Sequence, residues 1–199
     1  MLVPLFPLLW LFFCYSFLGW VLETAVSAVR LHRYVDRSVL FGPLCACYGI
    51  TAVLLTVGLP ELRGNYFFLF LGSAICSTVV EWIAGHLLEK ATHTRWWDYS
   101  DFPFNIGGYI CLEFCLLWGV GTLVVMRIVH PVVAGLVDMV PPFVGFVVMC
   151  VLYAVYAADV VVTAFAASGL AKTLDAMEQL ADSIHAVSDA MTQLLGTTT

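Results

Sequence analysis

The chain has 199 residues, of which 62% are hydrophobic and 11% charged, and its formal net charge is -6. A soluble domain carries roughly 25% charged residues and about half apolar ones, so one soluble core would leave too much apolar surface uncovered, and the surplus must face lipid. The negative balance excludes a nucleic-acid footprint, which is basic, and a polybasic role at a membrane surface.

A crossing of the hydrocarbon layer takes about 20 mostly apolar residues. Five segments meet that requirement, at roughly 5–29, 39–59, 66–90, 107–129 and 140–166. The first lacks a basic start, is too long for a signal-peptide core and has no small-residue cleavage site at Ala28-Val29-Arg30, so it reads as a membrane helix. The second opens with Phe41-Gly42-Pro43 and contains Tyr48-Gly49, which reads as a span partly broken or re-entrant. Irregular backbone at that depth survives only where it faces protein or a water-filled cavity. The predicted fold is all-α: a polytopic bundle of about five transmembrane helices over 1–167, followed by a cytoplasmic tail over 168–199. Arg30, Arg33, Arg37, Lys90, Arg95 and Lys172 fall on one side, and only Arg63 and Arg127 on the other. Basic residues stay cytoplasmic, so the N-terminus is expected outside and the C-terminus inside. The seven cysteines lie mostly in apolar runs, where they act as small hydrophobes.

In the tail, Leu170, Leu174, Met177, Ala181, Ile184, Ser188, Met191 and Leu195 alternate by four and three, a heptad seam. Asp175, Glu178, Asp182 and Asp189 on the other faces oppose binding to an anionic leaflet. An amphipathic helix that forms a homodimer contact, or packs on a partner or on its own protein, fits better.

An ionisable side chain at bilayer depth is a functional candidate by default, because lipid does not tolerate it alone. Glu23, Glu81, Glu113 and Asp159 lie one each in the first, third, fourth and fifth spans. Together they are expected to line a polar site for a cation or polar solute; singly, each also reads as a neutral packing carboxyl or an ion-paired one. Arg127 and Asp138 sit near an interface and can snorkel. His86, Glu89 and His93 share one helical face and suit a transition metal, although a solvated helix end reads the same way. Between the third and fourth spans, Trp97, Asp98, Tyr99, Ser100 and Asn105 interleave aromatic and polar groups. Aromatic anchoring at the interface explains the rings; the polar residues point to an ordered loop that, with Gly42, Pro43 and Tyr48, shapes the mouth of the site.

Several blocks occur in a recognisable order: Tyr15-Ser16-Phe17-Leu18-Gly19-Trp20 with Glu23; Gly42-Pro43; Tyr48-Gly49; Glu81, Gly85 and Glu89; Trp97-Asp98-Tyr99-Ser100; Pro103-Phe104-Asn105 with Gly108 and Cys111. With these, the chain resembles the putative ABC-transporter type IV family, also called the CmpB-type putative ABC transporter permease family. The resemblance spans about 10–125 and leaves the last span and tail outside. Ala46 stands where the family usually has proline, and Gly107 and Tyr109 where it has Asn and a basic residue. The resemblance implies a permease-like or channel-like membrane transport component. No phosphate-binding Walker motif is present, so an ATPase partner would be a separate chain. Two other readings stay open: a membrane-embedded metal-binding protein or enzyme using His86, Glu89, His93 and Asp98, and a scaffold that oligomerises through its tail. The enzyme reading ranks lower, because neither a Ser/His/Asp order nor a two-His zincin motif occurs.

Overall fold

The computed structural model describes residues 5–58 and 64–196. Helix α1 spans Leu5–Leu31, α2 Ala46–Gly58 and α3 Tyr66–Thr92. A hairpin of β1 (Asn105–Ile106) and β2 (Ile110–Cys111) precedes α4 (Leu112–Val124), which continues through a π-helical segment, Val125–Val129, into α5 (His130–Asp138). Helix α6 runs from Pro142 to Gly196. The all-α membrane bundle expected from the sequence is what the chain forms.

Four helical stretches are long and apolar enough to cross a membrane: Leu5–Leu31, Tyr66–Thr92, Leu112–Asp138 and Pro142–Gly169. The second predicted span differs. Residues 39–45 are not helical, and α2 alone is helical, with 13 residues. At 1.5 Å per residue it covers roughly 20 Å, less than the hydrocarbon thickness of about 30 Å. Pro43 accounts for the late start, since it disfavours helical geometry at Gly42 and cannot donate within a helix. The fourth span also shifts, because 105–111 is taken up by the hairpin. At its far end the helix passes Pro131 instead of stopping: the wider π turn just before it changes the hydrogen-bond register where proline offers no N–H. Arg127, in that turn, lies 4.2 Å over the ring of Tyr66 at the start of α3.

Contacts fix the order of levels in the bundle. Gly19 of α1 meets Tyr48 of α2, and Leu11 and Tyr15 meet Ala52, so these helices are antiparallel. Leu55 packs with Leu69 of α3 and Met126, which makes α3 parallel to α1. Helix α4 runs back along α3, with Gly119 against Phe70 and Ala74. The short α2 is therefore the central element, and both apolar clusters include it. Two glycines permit this. A Cβ on Gly19 would stand 2.3 Å from Tyr48 Cγ, and one on Gly49 2.3 Å from Ser16 Oγ, closeness that only glycine allows.

The tail continues α6 without a break instead of forming a separate element. Of the seam residues, Met177 and Ile184 are exposed; the side chains of Leu170, Leu174, Ala181, Ser188, Met191 and Leu195 lie outside the described residues, as does Arg63.

Candidate functional site: a carboxylate pair around the short helix

Glu23 sits on the face of α1 that meets α2, one turn beyond Gly19. Its Oε1 accepts a 2.6 Å hydrogen bond from the Tyr48 hydroxyl. The missing side chain at Gly19 is what lets the Tyr48 ring lie against α1 and reach this carboxylate. Glu81 lies on the face of α3 that meets α4. Trp118 Nε1 donates to its Oε2 at 3.0 Å, and the Tyr99 hydroxyl donates to its Oε1 at 3.1 Å. The two carboxylates are joined by rings: Tyr48 and Trp118 pack edge to face with centroids 5.8 Å apart. Glu23 is close enough for its charge to act on Glu81, and both act on Cys47.

Among the described residues, neither carboxylate has a Lys, Arg or His within ion-pair distance. All three donors are neutral, and indole can only donate. A charged side chain at the centre of a membrane helix costs about 2.5–3.5 kcal/mol on insertion scales, so two acids with no counter-ion among the described residues are costly to hold there.

Tyr99 arrives from the loop, and that loop is highly constructed. Asp98 Oδ1 accepts from the Ser100 N–H at 2.9 Å and from the Ser100 hydroxyl at 2.5 Å. The Tyr99 N–H donates to Gly108 O, Trp97 Nε1 to Tyr109 O, and Asn105 Nδ2 to the carbonyls of Ser100 and Phe102. Gly108 turns the chain with φ +76, and a Cβ there would lie 2.5–2.6 Å from Ser100 Oγ, Arg95 Nη1 and Asp98 Oδ1. Stacking of Tyr99 on Phe114, at 4.5 Å, fixes the ring. Burial, and then the nearby charge of Glu81, hold the Tyr99 phenol well above its ordinary pKa, so it remains a neutral donor. The hydrogen bonds from Ser100, and then Arg95, hold Asp98 below the usual carboxylate range.

The four predicted acids divide. Glu23 and Glu81 are linked beside α2 through the Tyr48–Trp118 ring contact. Asp159 of α6 faces the first loop instead, where its two oxygens accept from the backbone N–H groups of Phe41 (2.9 Å) and Gly42 (2.8 Å). Glu113 is exposed in the first turn of α4, where a negative charge complements the helix dipole. The expected metal face is not assembled. His86 Nδ1 lies 2.9 Å from Trp82 O, with its ring stacked on Tyr109. Glu89 bonds Arg95 and the Tyr109 hydroxyl. His93 is the left-handed C-cap of α3. Among the described residues, no three His, Cys, Asp or Glu side chains are grouped to hold a metal. Each has a structural partner because α3 must end and anchor the hairpin there.

Of the predicted mouth residues, Gly42 receives Asp159, Tyr48 and Tyr99 prove to be the carboxylate donors, and Trp97, Asp98, Ser100 and Asn105 shape the hairpin that delivers Tyr99. Trp118 was not singled out by sequence reasoning. An indole within an apolar span needs a hydrogen-bond acceptor, and the nearest deep acid on a neighbouring helix is the signal that would have paired it with Glu81.

Neither a curated protein nor a solved structure matches this chain. Residues 10–164 match the sequence profile described as putative ABC-transporter type IV, so the likeness runs past the motif blocks that end near 125 and takes in most of the final span. With four long apolar helices, this supports a multi-pass membrane transport component. The chain belongs to the putative ABC-transporter type IV family.

Proposed function

We propose that the chain is a permease-like or channel-like component whose polar site is the carboxylate pair Glu23 and Glu81, acting on a cationic or polar solute. One observation carries this reading: two membrane-embedded acids flank the same short helix, bonded by neutral donors and, among the described residues, by no cation. Such a pair is left with negative potential that a passing cation can satisfy. Tyr48, Trp118 and Tyr99 orient the carboxylates, while the 38–45 segment clasped by Asp159 and the 97–108 loop flank the approach. The distribution of Lys and Arg supports an outside N-terminus and a cytoplasmic C-terminus. A separate ATPase chain is the partner proposed for any ATP hydrolysis.

In proteoliposomes, Glu23→Gln and Glu81→Gln each reduce cation-dependent flux at least tenfold while the helical content is kept. Unchanged flux in both single variants removes the proposal. A second reading, homodimer assembly through the tail, has its own support: α6 continues far past its membrane stretch and leaves Met177, Leu180 and Ile184 exposed.

A further inference from the structure

We propose that Asp159 is a positioning residue for the polar site, through which α6 sets the hydrogen bond between Tyr48 and Glu23. Its meaning for transport rests on the reading of Glu23 as part of that site, whereas the contact itself is measured apart from flux.

The clasp is a two-point contact. Asp159 Oδ1 accepts from the Phe41 N–H at 2.9 Å, and Oδ2 from the Gly42 N–H at 2.8 Å. The Thr163 hydroxyl, one turn further along α6, donates to Oδ1 at 3.2 Å. Hydrogen bonds to a carboxylate are among the strong ones. Gly42 is shaped for this contact, since a Cβ there would stand 3.0 Å from Asp159 Oδ2. With both oxygens held, neither a shift of α6 along its axis nor a rotation about it leaves the 38–45 segment in place.

From the clasp a continuous run of bonds leads to Glu23. Ser38 Oγ lies 2.7 Å from Gly42 O and 2.9 Å from Leu44 O, and the Leu44 N–H donates to Gly42 O at 2.8 Å. The Cys45 N–H donates to Ser16 O of α1 at 2.9 Å, and Cys45 O accepts the Tyr48 N–H at 3.1 Å. The Tyr48 hydroxyl then reaches Glu23 at 2.6 Å. Pro43 sits within this run and cannot donate, so the segment takes its shape from what holds Phe41 and Gly42.

Helix α6 is suited to be the moving partner. Of the four long apolar stretches its own is the least covered, 11% buried against 22–28% for the others. One to two turns before Asp159 it rests on α1 through rings, Tyr153 and Tyr156 against Phe12 and Phe13, with centroids 4.7–6.3 Å apart. Ring contacts can slide, and the Asp159 clasp hands such a movement to the first loop. Because α6 continues unbroken from the clasp to Gly196, a displacement of the tail reaches Asp159 through one helix. The hairpin that delivers Tyr99 is tied to α3 instead. The two phenol donors of the site therefore answer to different elements, Tyr48 to α6 and Tyr99 to α3.

Fluorine NMR of the chain labelled with fluorotyrosine, in lipid nanodiscs, reads the two donors separately. Tyr48→Phe and Tyr99→Phe assign their resonances, and Glu23→Ala gives the position of Tyr48 without its acceptor. Asp159→Ala is expected to move the Tyr48 resonance most of the way to that position while Tyr99 keeps its own. Asp159→Asn retains the side-chain shape and one acceptor oxygen; it moves Tyr48 in the same direction by less, and guards against a fold lost in the alanine variant. A Tyr48 resonance that stays in place in each Asp159 variant that folds overturns the proposal. So does one that moves only together with Tyr99, the sign of a bundle loosened as a whole. If Glu23→Gln and Glu81→Gln leave flux unchanged while Asp159→Ala still moves Tyr48, the transport reading fails and the positioning role stands.

Discussion

Asp98 is exposed, yet its carboxylate is held by the Ser100 amide and hydroxyl and by Arg95. Its folded pKa is depressed, so its contribution to hairpin order is fully present above the unfolded value of about 3.9 and is lost as pH falls through the lower folded value. Tryptophan fluorescence, with Trp97 in the hairpin, should therefore change below about pH 4, and Asp98→Asn should remove that step. A fluorescence profile identical in the two proteins would mean that Asp98 does not hold the loop. At Gly108, both the positive φ and the crowding act against a side chain. Gly108→Ala should destabilise the fold by roughly 1–3 kcal/mol, as strained positions do, seen as a lower unfolding midpoint in detergent. Because Tyr99 N–H bonds Gly108 O, the same change should weaken the Tyr99–Glu81 contact.

At the scale of elements, the two loops flanking the site are tied to different helices. The 38–45 segment is clasped by Asp159 of α6, while the hairpin is tied to α3 through Arg95, Glu89 and Tyr109. Asp159→Ala frees the amides of Phe41 and Gly42, and hydrogen exchange there should rise at least tenfold while amides of 97–108 keep their protection. Equal exposure of both loops would show that they form one unit. These ties also mark where the sequence was legible. The long apolar runs marked the four helices long enough to cross, because hydrophobic length is a local property, but they also marked 39–59, where only the short α2 forms. The membrane acids stood out for the same reason, as did the interleaved polar residues near Trp97. What sequence could not give was partnership. Asp159 looks like Glu23 in its span, but bonds a loop more than a hundred residues away in the chain. His86, Glu89 and His93 do share a helical turn pattern, yet stacking on Tyr109, pairing with Arg95 and the left-handed cap divide them. Periodicity places a side chain on a face and is silent about what the rest of the fold sets opposite.

At the scale of the whole molecule, a central half-length helix lets acids from two flanking helices approach a common layer, and α6 carries the chain on into its tail. Truncation after Gly169 should leave the bundle folded and remove any homo-oligomer seen by light scattering in detergent; an oligomer that survives assigns the contact to the membrane region. The account as a whole depends on Glu23 and Glu81 forming one site rather than two. A double-mutant cycle with Glu23→Gln, Glu81→Gln and both together, read as unfolding midpoints in detergent, tests this most directly. The account predicts that the two changes are coupled by roughly 0.5–3 kcal/mol, as for residues that share a network; additivity to within about 0.3–0.5 kcal/mol would contradict it.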